Sequence, residues 1–157
     1  MPISPITSGF AEAIGLGNDP CLRLTTANPV HERIRSYLLA SLAIRQAAPA
    51  ALDVAGLVRS AHALRSLPEI HNHQTASAAS VSVSNILDDV RDCGAHDWVI
   101  AAVAGASEAA DAAAYEEQSA GTAAGTAISR AIRCGGDATV LVPLAIDAML
   151  ACSSVRD

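Results

Sequence analysis

Lysine is absent from this chain, and all ten of its basic residues are arginine. Without lysine there can be no phosphate loop of the G-x-x-x-x-G-K-[ST] type and no S-x-x-K pair. Basic residues are also outnumbered: sixteen carboxylates leave a formal charge of −6, and no run of arginines is interleaved with aromatic rings. The electrostatic footprint of a nucleic-acid binder is therefore missing, as is the basic face that holds a peripheral helix on anionic lipid. No nucleic-acid partner is expected, and no membrane partner.

Aromatic residues make up only 3% of the chain. A core without large rings has to be filled by aliphatic and small side chains. Cysteines stand singly at Cys21, Cys93, Cys134 and Cys152, with no C-x-x-C pair. A chain of this length can bury roughly two thirds of its unfolded surface, so neither disulfide staples nor a structural metal is required. Reduced thiols and a cytoplasmic location are expected. The first fifteen residues lack a basic segment followed by an apolar one, so no secretory leader is expected. The longest strongly apolar run, 139–152, is too short to span a bilayer and contains Asp147.

What is plentiful is alanine, 34 residues of 157. Alanine has the highest intrinsic helix propensity and loses no side-chain entropy on folding. It also buries little area, so an alanine-lined helix must pack closely on several sides. Composition alone points to an all-α fold, an Ala-rich bundle of five to six helices or an oligomer of such bundles, with α/β as the alternative.

Residues 1–27 carry Pro2, Pro5, Gly9, Gly15, Gly17 and Pro20 at short intervals, which predicts an irregular N-terminal arm. Its Ile3, Ile6, Phe10, Ile14, Leu16, Leu22 and Leu24 imply that part of it docks. Residues 28–157 read as a single helical domain. Asn28 followed by Pro29 marks a helix start, and Val30, Ile34, Tyr37, Leu38, Ser41 and Leu42 recur at helical spacing opposite Arg33 and Arg45. Pro49 is expected to separate this helix from a second over roughly 50–67, ended by Pro68. In 75–93 the positions Ala76, Ala79, Val83, Ile86, Val90 and Cys93 suit a helix, with Gly94 as its stop. The alternation across 79–84 competes as a strand signal, and the short apolar runs 98–104 and 139–142 are equally ambiguous. Asp97 can cap the next helix, which carries Val99, Val103, Ala106, Ala110 and Ala113 on one face. Glycine at 121 predicts either a kink or a break before the run resumes to Arg133. Asp137 can cap a last helix to about Cys152, interrupted by Pro143.

Gly121 and Gly125 form a small-x-x-x-small pair, which lets two helix backbones approach because no side chain stands between them. They are the expected helix-contact residues. His71 and His73, with Glu69 before them and His62 upstream, are the densest set of potential metal ligands, but no third and fourth ligand declares itself. A solvated polar hinge explains them as well. Asp92, His96 and Asp97 could orient an imidazole through a carboxylate, or could be a C-cap followed by an N-cap. Glu108, Asp111, Tyr115 and Glu116 lie along one side of a helix, without the Glu-x-x-His signature of helical di-iron sites. Cys93 and Cys134 fall near helix C-termini, where the dipole disfavours a thiolate.

No catalytic constellation emerges, no catalytic or cofactor-binding residue is assigned, and no metal or cofactor is expected. The function that fits is a non-enzymatic protein–protein interaction or assembly subunit, as a homo-oligomer or part of a larger particle. Two alternatives stand beside it. One is a small metal-binding protein or enzyme using the His71/His73 region, and the other an acidic effector, inhibitor or immunity protein that docks a basic partner.

Overall fold

The computed structural model describes residues 4–15 and 28–150, and among them every regular element is helical. The chain forms α1 (Pro5–Ala13), α2 (Pro29–Leu42), a π-helical turn (Ala43–Ala47), α3 (Ala48–Val54), α4 (Val58–Arg65), α5 (His73–Asp92), α6 (Asp97–Tyr115), a 3₁₀ turn (Glu117–Ser119), α7 (Ala120–Arg133) and α8 (Ala138–Leu150). The fold is an all-α bundle. The α/β alternative fails, because 79–84, 98–104 and 139–142 all lie in helices. Residues 1–3, 16–27 and 151–157, including Cys21 and Cys152, lie outside the described residues.

Three expectations are corrected. First, the N-terminal arm is not irregular throughout. Ser4 caps α1 by accepting the Thr7 amide, Pro5 occupies the first turn, and Ile6, Phe10 and Ala11 are buried. Gly9 weakens the helix locally but lets α7 approach, since a methyl group there would overlap the Thr122 hydroxyl. Second, Pro49 does not break the chain. It sits at the second position of α3, directly after the π turn, in which the Ala48 amide donates to the Ala43 carbonyl five residues back. A wider turn opens the hydrogen-bond ladder where the proline has no N–H to give. The rod therefore runs to Val54 and stops at Gly56, whose φ of +79° makes the left-handed C-terminal turn. With α2, the π turn and α3 taken as one rod, residues 28–150 hold six helical rods, within the five to six expected, and α1 in the arm adds a seventh.

The third correction concerns which face of α2 is inside. The expected apolar stripe is largely outside: Val30 is 65% exposed, Ile34 42% and Leu38 36%. Buried instead are Glu32, Arg35, Ser36, Leu39 and Ala40. The inward face can be polar because its charges satisfy one another. Arg35 Nη1 donates to Glu32 Oε1 at 2.7 Å, and Arg35 Nε donates to the Met149 carbonyl of α8 at 3.0 Å. Glu32 in turn accepts the Ser4 hydroxyl and, at 3.4 Å, the Ile6 amide, two groups at the start of α1. One buried ion pair thus joins α1, α2 and α8.

The centre of the bundle is α7. It packs most extensively on α6 and α1, and α6 packs in turn on α5. Its buried residues are almost all small: Ala120, Gly121, Ala124, Gly125, Ala127, Ile128 and Ala131. Closeness is the result. A methyl group at Gly121 would overlap the Ile6 carbonyl, one at Gly125 would stand 2.7 Å from Ala13 Cβ, and one at Gly105 of α6 3.0 Å from Ala127 Cα. Two long bonds fix the register: Ser129 Oγ to the Ala13 carbonyl at 2.7 Å, and Arg130 Nη1 to the Ala101 carbonyl at 2.8 Å.

At the other end of the chain, Asp137 starts α8 by accepting the Thr139 amide at 2.9 Å and the Thr139 hydroxyl at 2.5 Å. These bonds hold its carboxyl below the usual carboxylate range. A lowered folded-state value means that the ionised cap favours folding. That contribution is complete above the unfolded value, near pH 4, and is lost as pH falls through the lower folded one. Acidification below pH 4 is therefore expected to lower the protection of the Thr139 and Val140 amides, measured relative to their intrinsic exchange rates at each pH, before α6 and α7 respond. In Asp137→Asn this acid dependence should vanish.

Candidate functional site

The polar side chains that converge on this fold do so where α6 ends. Asn72 and Thr75 form a reciprocal capping box, Thr75 N to Asn72 Oδ1 at 2.8 Å and Asn72 N to Thr75 Oγ1 at 3.0 Å, so α5 begins sharply at His73. That start brings the imidazole to the last turn of α6, whose carbonyls have no intrahelical partner. His73 Nδ1 lies 2.8 Å from the Ala114 carbonyl oxygen. A carbonyl can only accept, so Nδ1 carries the proton and Nε2 keeps its lone pair in the neutral ring. Tyr115 stands edge-on to this ring at 5.3 Å and 81°, and its hydroxyl is 2.6 Å from Ser77 Oγ.

Two recesses meet at Tyr115. The smaller, about 310 Å³, is lined by His73, Tyr115 and Glu117 with Arg33 and Tyr37 of α2. It holds both tyrosines of the chain. Arg33 and Glu117 face each other across 3.7 Å. The larger, about 630 Å³, is a cleft bounded by Glu108, Asp111, Tyr115 and Glu116 on one side and by Gln118, Ser119, Thr122 and Thr126 on the other. All four residues of the acidic face read from the sequence line it. Ser80 bridges to Asp111 at 3.3 Å along the α5–α6 seam.

The remaining sequence candidates lie apart. His71 lines neither recess, and its Nδ1 is 3.2 Å from the Glu69 carbonyl. Among the described residues no three His, Cys, Asp or Glu side chains stand close enough together to hold a metal ion. His96, and not Asp97, caps α6, its Nδ1 accepting the Trp98 amide at 3.2 Å, while Asp97 supplies negative charge in the first turn. That role leaves Nδ1 unavailable to a carboxylate. Gly121 and Gly125 face α1 of the same chain. Cys134 ends α7, half-buried, and burial pushes its thiol above the usual range. Alkylation at neutral pH should therefore label exposed Cys93 well before Cys134, a difference that peptide mass mapping after a timed iodoacetamide pulse would resolve.

Sequence reasoning missed Arg33 and Tyr37 as members of the recess. They meet His73 only through the packing of α2 against α6, and nothing local in the sequence encodes that. It also missed the outward ridge of Val30, Ile34 and Leu38. This ridge continues into a groove that Leu38 and Leu42 share with Leu144 and Ala148 of α8, with exposed Val140 one turn before Leu144. None of the helices among the described residues is long and apolar enough to cross a membrane. Comparison with protein-family models, with curated protein sequences and with solved structures finds no match for this chain.

Proposed function

We propose that this protein is a non-enzymatic assembly subunit that pairs with a second copy of itself through the outer face of α2 and α8. The carrying observation is the ridge of Val30, Ile34 and Leu38, three large aliphatic residues at four-residue spacing, each more than a third exposed while the opposite face of the helix buries Glu32, Arg35, Ser36 and Leu39. Rows at i±4n are the ridges that interlock in the commonest class of helix packing, in which both helices contribute the same row. A self-complementary ridge is what a two-fold dimer requires, since the same patch must meet itself. Leu144 and Val140 extend the apolar surface beside it.

Sedimentation equilibrium over a range of concentrations tests this. The native chain should weigh as a dimer at micromolar concentration. Ile34→Lys, at an exposed position, should weigh as a monomer with an unchanged circular dichroism spectrum. A native chain that stays monomeric at the highest soluble concentration would overturn the proposal.

A second reading is favoured by the cleft beside Tyr115, in which Glu108, Asp111 and Glu116 gather without an arginine in the lining. Such a surface suits a basic protein partner, with association that weakens as salt rises. Self-pairing through the α2 ridge should instead be nearly independent of salt, which separates the two.

A further inference from the structure

We infer that the recess between α2, the start of α5 and the end of α6 is a binding site for a small zwitterion, a molecule of the α-amino acid class. Some of its polar groups are already committed, and these hold the walls. His73 is fixed through Nδ1 to the Ala114 carbonyl, and Tyr115 through its hydroxyl to Ser77. The two rings stand edge-on, an arrangement that aromatic pairs favour. Other groups remain uncommitted. Among the described residues the Arg33 guanidinium has only the 3.7 Å approach to Glu117, too long for a hydrogen bond, so most of its five N–H donors are open to a ligand. The lone pair on His73 Nε2 is open in the same way.

Charge selects the class of ligand. The fixed charges in the lining are one guanidinium and one carboxylate, Arg33 and Glu117. A simple anion drawn to Arg33 meets Glu117, and a simple cation drawn to Glu117 meets Arg33. A molecule carrying both signs satisfies both residues, its carboxylate taking the fork of Arg33 and its ammonium taking Glu117. The two tyrosine rings offer apolar and cation–π surface to the rest of the molecule. The volume, about 310 Å³, lies at the small end of ligand pockets and suits a single amino acid rather than a peptide.

The test is a titration of the full chain followed by NMR on the ring resonances of His73, Tyr37 and Tyr115. Each of the twenty protein amino acids is added singly, then its N-acetyl derivative and its amide. At least one amino acid should shift these three residues together and saturably. Removing either charge from that ligand should weaken binding roughly tenfold or more, the loss of about one charge-assisted contact. Arg33→Gln and Glu117→Gln should each weaken the parent amino acid to a similar degree, and Arg33→Gln should no longer distinguish it from its amide. Three outcomes would overturn the inference. In one, no amino acid moves the three rings. In another, the N-acetyl derivative binds as well as its parent, which marks a plain anion site. In the third, the shifts map elsewhere on the chain.

Discussion

Gly121→Ala should destabilise this protein by about 3 kcal/mol, where the same change on an exposed helix would gain about 1 kcal/mol. The sign reverses because the added methyl group has nowhere to go. It would overlap the Ile6 carbonyl, with the carbonyl carbon at 2.7 Å, and both groups are backbone held in regular helices. The only relief is to move α1 and α7 apart, which opens the contact along Gly9, Gly121 and Gly125 together. For a chain of this size the loss corresponds to a fall in melting temperature of roughly 10 °C. The neighbouring glycines give an internal ranking. Gly125→Ala should cost less, because its nearest atoms, Ala13 Cβ at 2.7 Å and the Phe10 carbonyl oxygen at 2.9 Å, leave more room than the Ile6 carbonyl leaves at Gly121. Gly105→Ala should cost least, with its nearest atoms at 3.0 Å. Thermal melts of the three variants beside the native chain read the order.

The second large effect concerns the buried pair on α2. Glu32 is 6% exposed and Arg35 1%, so neither variant can rehydrate the charge it leaves behind. Breaking a buried pair from one side costs about 3–5 kcal/mol, most of it from the stranded partner. Arg35→Met should therefore unfold at markedly lower denaturant than the native chain, and so should Glu32→Leu. The double variant should recover part of the loss, because neither Glu32 nor Arg35 is then left facing the missing charge of the other. Recovery should stop short of native stability, since the Ser4 hydroxyl, the Ile6 amide and the Met149 carbonyl all lose a partner. Denaturant titrations of the two singles and the double close the cycle. A double variant less stable than both singles would contradict this account of the pair.

These same residues show where the sequence could and could not be read. The start of α2 was legible because Asn28 and Pro29 act locally, the asparagine side chain accepting the Val30 and His31 amides. The buried face of α6 was legible because Val99, Val103, Ala106, Ala110 and Ala113 repeat at helical spacing, and all are buried. The orientation of α2 was not. Charged Glu32 and Arg35 look like a solvent face, and only their pairing with Ser4 and Met149, distant in the chain, turns them inward. Alanine hides the true seam, because it scores weakly as an apolar residue yet closes the core at 40, 43 and 47. Helix α1 was obscured by Gly9, whose purpose is set by Thr122 more than a hundred residues away. Pro49 misled for a related reason: the π turn that accommodates it has no sequence signature. At the candidate site, the acidic residues on α6 could be grouped by spacing alone. His73 could be singled out, but its contact with Ala114 and its neighbours Arg33 and Tyr37 depend on how α2, α5 and α6 pack.

The reversed orientation of α2 and its use as a pairing surface can be examined together by methyl NMR, with a soluble gadolinium chelate added at low and at high protein concentration. When dilute, the methyl groups of Val30, Ile34 and Leu38 should broaden while those of Leu39 and Ile44 stay sharp. At high concentration the first three should become protected as copies pair. If Leu39 and Ile44 broaden in dilute solution while Val30, Ile34 and Leu38 do not, α2 faces the other way and the proposed interface does not exist.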